Sequence, residues 1–178
     1  MQKINTKIDP AFLAECMNMK KLVGNDKFSI CMDLEHIANC QYELIMDRSR
    51  TFYTINFKGG HLAGTLRKLE KEGVVSIKSI IEFGGGCIEY QAEDIFSGQL
   101  FKHTEYPPHW NPQKIAQETE RIFDHCVNEG ISLSKSWSRN KPCSELFDLQ
   151  IIVKVSEKTH EIATNNLKII TAHPILIA

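Results

Sequence analysis

The sequence predicts an α+β fold, with N-terminal helices followed by a mixed domain of antiparallel β-sheets. Three observations carry this: apolar residues at helical spacing in the first third, glycine-bounded strands alternating with short helices in the middle, and β-branched segments split by polar turns at the end. A chain of 178 residues has room for a real core and is read as one compact unit. Residues 1–30 are assigned to an N-terminal helical segment and 31–178 to the mixed domain.

Taken in order, Asp9-Pro10 is a helix start, with an acceptor side chain followed by proline at the first position. Phe12, Leu13, Cys16 and Met17 continue a helical stripe through Met19–Val23 to a stop at Gly24. Phe28, Cys31, Met32, Leu34, Ile37 and Ala38 predict a second helical segment covering Phe28–Met46. Phe52, Tyr53, Ile55 and Phe57 mark a strand over Thr51–Phe57. A helix over Leu62–Glu72, closed by Gly73, and a strand over Val74–Phe83 follow. Gly84-Gly85-Gly86 turns the chain into a strand that starts at Cys87–Tyr90, and Ile95–Thr104 reads as hairpin-like around Ser97-Gly98. Pro107, Pro108 and Pro112 stiffen Glu105–Asn111. Asn111 caps a helix whose buried stripe is Ile115, Thr119, Ile122, Phe123 and Cys126, ending at Gly130. Strands are predicted over Leu146–Val155, Glu161–Thr164 and Leu167–Ile177.

No apolar run approaches the length of a membrane span, and no apolar segment with a small-residue cleavage site follows Met1–Lys7. The six cysteines are scattered, as reduced thiols would be. Cys31, His36 and Cys40 lack a usual zinc spacing. The net charge is −1, but Arg48 to Ile81 holds seven basic residues against Glu70 and Glu72, a local +5 that a phosphate would feel.

Within that basic stretch lies Phe57-Lys58-Gly59-Gly60-His61-Leu62-Ala63-Gly64-Thr65. Glycines on either side of a histidine permit positive φ and close approach to a ligand, and histidine moves protons near neutral pH. Of the seven histidines, His125 and His160 read as structural or exposed and His109 as packing beside Trp110. His103 and His109 could ligate a metal, though no carboxylate–histidine set accompanies them. His36, His61 and His173 remain as candidates for acid–base work on a phosphodiester, which requires a base, an acid and a cation.

Four segments in order carry a resemblance. They are Glu35-His36-Ile37, Lys58-Gly59-Gly60-His61-Leu62-Ala63-Gly64, the run Phe101-Lys102-His103-Thr104-Glu105-Tyr106-Pro107-Pro108-His109-Trp110-Asn111, and Ile169-Ile170-Thr171-Ala172-His173-Pro174. Together they resemble the EndoU family of uridylate-preferring endoribonucleases, most closely its bacterial toxin branch, over roughly His36 to Pro174. The resemblance implies cleavage of RNA without a metal or other cofactor, giving a 2′,3′-cyclic phosphate and a 5′-hydroxyl. It implies His36 and His61 as acid and base, Lys102 as the transition-state cation and Thr171 as a base or phosphate contact, with Lys58, Gly60, Arg67 and Thr104 binding substrate. His173 stands where the family has tyrosine, and the His36–His61 interval is longer than the family's. Either His36 or His173 is therefore a candidate partner for His61. A toxin of this kind implies a cognate immunity protein, delivery as cargo of a larger secreted protein, and action in the target-cell cytoplasm, with a tRNA loop as one substrate. The alternatives are a non-catalytic RNA- or protein-binding relative on the same scaffold, such as an immunity-type partner, and a metal-dependent hydrolase using His103 and His109.

Overall fold

The fold is α+β, seen in a computed structural model that describes residues 2–4, 7–23, 26–46, 48–49, 51–128, 137–142, 150–155 and 166–176. Two small sheets are antiparallel. One has the order β1 (Gln2–Ile4), β4 (Cys40–Met46), β5 (Tyr53–Gly59), and the other β6 (Val75–Phe83), β7 (Cys87–Asp94), β8 (Leu100–Glu105). A third sheet has the order β2 (Met19–Val23), β3 (Asp26–Met32), β11 (Asn166–Ile175), β10 (Gln150–Val155), β9 (Trp137–Pro142), and is mixed because β3 and β11 run parallel. The helices are α1 (Pro10–Met17), α2 (Leu34–Ala38), α3 (Thr65–Lys71) and α4 (Pro112–Asn128). Among the described residues no helix is long and apolar enough to cross a membrane.

Local chemistry accounts for the helix ends. The Asp9 side chain accepts from the Ala11 N–H at 3.1 Å to start α1, and Asn111 accepts from the Lys114 N–H at 2.8 Å to start α4. On α4 the expected face is buried at Ile115, Thr119, Ile122 and Phe123. The Gly84–Gly86 turn between β6 and β7 holds all three glycines at positive φ.

The N-terminal half differs from expectation. The helix expected through Met19–Val23 is strand β2, and the helix expected over Phe28–Met46 is divided into β3, α2 and β4; among the described residues of 1–30 only α1 is helical. Asp33 is the reason for one boundary: its carboxylate accepts from the His36 N–H at 3.1 Å and starts a helix there. Asn39, with φ −99° and ψ 143°, ends it five residues later. The flanking segments then find ladder partners, β3 on its neighbour β2 and the distant β11, and β4 on the earlier β1 and its neighbour β5, and those bonds override a local apolar spacing. Strand β9 was not anticipated. The expected strand Glu161–Thr164 and the helix stops Gly24 and Gly130 lie outside the described residues, as do the side chains of Thr171, His125, Cys126 and His160.

Two apolar cores result. One joins α1, α2 and α4 to β11 through residues such as Met32, Ile37, Ile115, Phe123 and Ile169; the other joins α3 to β4, β6 and β7 through Tyr42, Leu66, Leu69, Val75 and Tyr90. The segment carrying His61 spans both, because Leu62 is buried in the first core and Leu66 and Leu69 in the second. Burial of one such leucine contributes about 1.5–3 kcal/mol, so the chain that follows His61 is held by both cores.

Candidate active site

His61 is positioned by its own main chain and by its ring. Its N–H donates to the Ile37 carbonyl at 3.1 Å and its carbonyl accepts from the Tyr106 N–H at 2.8 Å. Its ring Nδ1 lies 2.7 Å from the Thr104 carbonyl, which can only accept, so Nδ1 carries the proton. In the neutral ring Nε2 therefore keeps its lone pair. The three glycines around it take positive φ: 67° at Gly59, 81° at Gly60 and 83° at Gly64. Two of them also lack room for a side chain. A Cβ on Gly59 would lie 1.6 Å from the His36 carbonyl oxygen, and one on Gly60 2.7 Å from the Cys40 Cβ.

A third anchor comes from β8. Gly64, the N-cap of α3, has no capping side chain of its own. The buried Glu105 carboxylate takes that part, accepting from the Gly64 N–H at 2.6 Å and the Leu66 N–H at 2.7 Å. His103, two residues before it, donates from Nε2 to the Gly60 carbonyl at 3.0 Å. Strand β8 thus holds the glycine loop through residues 103–106.

These bonds place three imidazoles in a column. The His61 ring is stacked with His103, centroids 5.0 Å apart at 11°, and with His173 of β11, at 5.0 Å and 21°. A cleft of about 440 Å³ opens on the column, lined by His61, His103, His173, Lys102, Thr104, Glu89 and Leu176. The Lys102 ammonium is 2.8 Å from the Glu89 carboxylate, with the lysine side chain 69% exposed and the glutamate 12%. An ion pair with so exposed a partner is worth little, about 0–1 kcal/mol, so an incoming anion can compete for Lys102.

The electrostatics follow from enclosure. Burial, then the neighbouring His103 and His173 rings, hold His61 well below the ordinary histidine value. Burial pushes His103 down to about 4, against its bond to Gly60. Glu105 is pushed up to about 7 by burial, against the N–H groups of Leu66 and Gly64. Their linkage has opposite signs. The histidines are neutral in the fold and gain protons on unfolding, so their stabilisation is full above the ordinary value of 6.5 and is lost as pH falls toward their folded values. Glu105 stabilises most below its ordinary 4.5, and that contribution is lost as pH rises through about 7. Two histidines oppose one carboxylate. The urea midpoint should therefore fall between pH 6.5 and 5, and Glu105→Gln should steepen the fall. A midpoint that rises on acidification would contradict neutral, buried imidazoles.

Of the residues expected at the site, His61, His173, Lys102 and Thr104 meet in this cleft. Gly60 supports it from beneath through its carbonyl. Thr171 lies on β11 opposite Lys154. His36 sits on α2, one residue before the carbonyl that receives the His61 N–H, and does not line the cleft. Lys58, exposed and opposite Gln41 on β5, and Arg67, paired with Glu70 at 3.0 Å, also lie outside its lining. The basic stretch is partly neutralised, since Lys78 pairs with Glu93 as well. His103 and His109 do not come together as ligands: His103 is buried in the column, and His109 is exposed in the proline turn beside the buried Trp110. Among the described residues no three His, Cys, Asp or Glu side chains are grouped as ligands of one metal ion.

Glu89 and Glu105 escape sequence reasoning, and His103 enters it only as a possible metal ligand with His109. Phe101, His103 and Glu105 alternate along β8, a period-two signal that places them on one face. Comparison with family models, with curated proteins and with solved structures finds no match to the chain. Function is therefore argued from the geometry of the cleft.

Proposed function

We propose that the chain is an endoribonuclease that cuts RNA by transesterification from the 2′-hydroxyl. The observation that carries this is the tautomer of His61: its Nδ1–H is committed to the Thr104 carbonyl, which leaves a neutral imidazole with a basic Nε2 in a cleft that also holds Lys102 and a second imidazole. His61 takes the proton of the ribose 2′-hydroxyl, and the oxygen attacks phosphorus. Lys102 stabilises the charge that develops on the non-bridging oxygens. His173 protonates the departing 5′-oxygen, and the negative phosphodiester favours the imidazolium this step needs. The products are a 2′,3′-cyclic phosphate and a 5′-hydroxyl, and no step requires a metal. His173 is preferred to His36 as the partner because its ring is stacked with His61 and lines the cleft, whereas His36, whose charge acts on His61, does not line it. The substrate is an unstacked nucleotide in a loop or single strand, the form in which a base and its 2′-hydroxyl are free to enter a protein cleft.

The test is direct. Purified protein is incubated with total RNA, including tRNA, in the presence of a chelator, and the new termini are mapped. Cyclic phosphates are expected, and they should disappear in Lys102→Ala. Intact RNA at high protein excess would remove the proposal in favour of a non-catalytic binding protein, and cleavage only on addition of a metal would favour a metal-dependent hydrolase. If a toxin, the protein should be neutralised by a partner that covers this cleft.

A further inference from the structure

We infer that the protein holds a second base in a pocket beside the imidazole cleft, so that two successive nucleotides of a single strand bind with their joining phosphate at Lys102. This rests on the ribonuclease proposal, which puts the scissile phosphate at that lysine.

The pocket, of about 230 Å³, is walled by Thr54, Asn56, Phe57, Asp94, Gln99 and Phe101, and it shares Lys102 with the cleft. The two spaces are joined by a ladder of rings. From the His173–His61–His103 column, His103 meets Phe57 edge-on at 5.5 Å, and Phe57 meets Phe101 at 5.1 Å. Both phenylalanines are half-buried against the second core, which fixes their rings before any ligand arrives. A cation between two aromatic-walled spaces is the arrangement by which proteins hold single-stranded nucleic acid, bases on rings and phosphate on the charge.

Charge decides which part of a nucleotide enters. The Asp94 carboxylate accepts from the Thr54 and Ser97 hydroxyls and from the N–H groups of Ile55 and Phe96, at 2.6–2.9 Å. These bonds hold it below the usual carboxylate range despite burial, so it is anionic at neutral pH. A phosphate is repelled there and a neutral base is not. Asn56 gives an Nδ2–H to Glu43 at 3.3 Å and keeps its carbonyl oxygen as an acceptor; Gln99 adds a second amide. The volume falls below the roughly 300–1,000 Å³ of sites for drug-sized ligands, as suits one base.

The experiment compares two ligands that cannot be cleaved because fluorine replaces the 2′-hydroxyl: a 2′-fluoro nucleoside 3′-monophosphate and a 2′-fluoro dinucleotide. Each is titrated into the full chain and followed by NMR. The mononucleotide should shift the imidazole signals alone, and the dinucleotide should also shift the rings of Phe57 and Phe101. Phe101→Leu, which keeps the apolar packing and removes the stacking face, should weaken the dinucleotide about tenfold and leave the mononucleotide unchanged. Gln99→Ala, at an exposed position, should weaken the dinucleotide by a smaller factor. Phenylalanine signals that stay fixed at saturation, or equal weakening of both ligands by Phe101→Leu, would overturn the second pocket. If the two-pocket binding holds but the native protein cuts no RNA, catalysis fails and the pocket stands as part of a binding groove. If neither ligand binds, both fail.

Discussion

His61→Ala is expected to lower the rate of RNA cleavage by about 10³-fold or more, at the upper end of what a positioned general base supplies. The loss should appear in kcat as well as kcat/KM, because the proton is taken in the transition state and contributes little to ground-state binding. A structural cause has to be separated from a chemical one, since the ring also donates to the Thr104 carbonyl and is stacked with both His103 and His173. Removing the ring and leaving the Thr104 carbonyl without this donor costs about 1–3 kcal/mol, less than a typical domain's roughly 5–15 kcal/mol. His61→Gln provides the control. Its amide keeps a donor for the carbonyl and has no basic nitrogen, so it should restore stability and not activity. The pH profile is a second readout. A base held well below the ordinary 6.5 stays unprotonated in mild acid, so the acid limb of kcat/KM should lie below the pH where a free histidine would titrate. A limb at or above 6.5, or a Gln variant as active as the native protein, would remove His61 from the chemistry.

The parts of this molecule legible in its sequence are those whose cause is local. Three glycines around His61 permit the positive φ they take, and Asn111-Pro112 carries its own helix start. Strands bounded by glycine, such as β6 and β7, fall in the same class. The segments misread are those whose partner is remote. Phe28 to Met46 carries a helical stripe, yet β3 pairs with β11, more than 130 residues away, and β4 pairs with β1 as well as with its neighbour β5. An apolar spacing that suits a helix can also be satisfied by two strands around a short helical turn, and only the sheet decides. The site divides the same way. His61, Lys102 and His173 were found from segments that resemble a known arrangement. Glu105 was not, because an acid after Lys102-His103-Thr104 reads as a surface charge; only the fold reveals it as the cap of α3. His103 was considered only as a metal ligand with His109, six residues on, although its strand position beside Phe101 and Glu105 already argues for an inward ring.

The largest effect on stability is expected at Gly59, and the contrast with Gly64 identifies its cause. Both take the left-handed backbone, φ 67° and 83°, so an added Cβ costs either of them about 1–2 kcal/mol of conformational energy. At Gly64 nothing lies within 4 Å of the new atom, and the cost ends there. At Gly59 the Cβ would meet the His36 carbonyl oxygen at 1.6 Å and the Asn39 carbonyl oxygen at 2.8 Å. Both are main-chain atoms of the α2 turn. That turn is pinned by the Asp33 cap and by the Ile37 carbonyl that receives the His61 N–H, so no side-chain rotation relieves the contact. Gly59→Ala should then cost about 4 kcal/mol or more, within the range reserved for strain at a special backbone position and a large part of a typical domain's 5–15 kcal/mol. The urea midpoint would fall accordingly, whereas Gly64→Ala would lower it only slightly. Activity should follow the same order even in the fraction that stays folded, because α2 or the loop must move and the His61 ring moves with it, away from Lys102 and His173. Equal midpoints for the two variants would show that the loop does not pack on α2 as closely as these distances require.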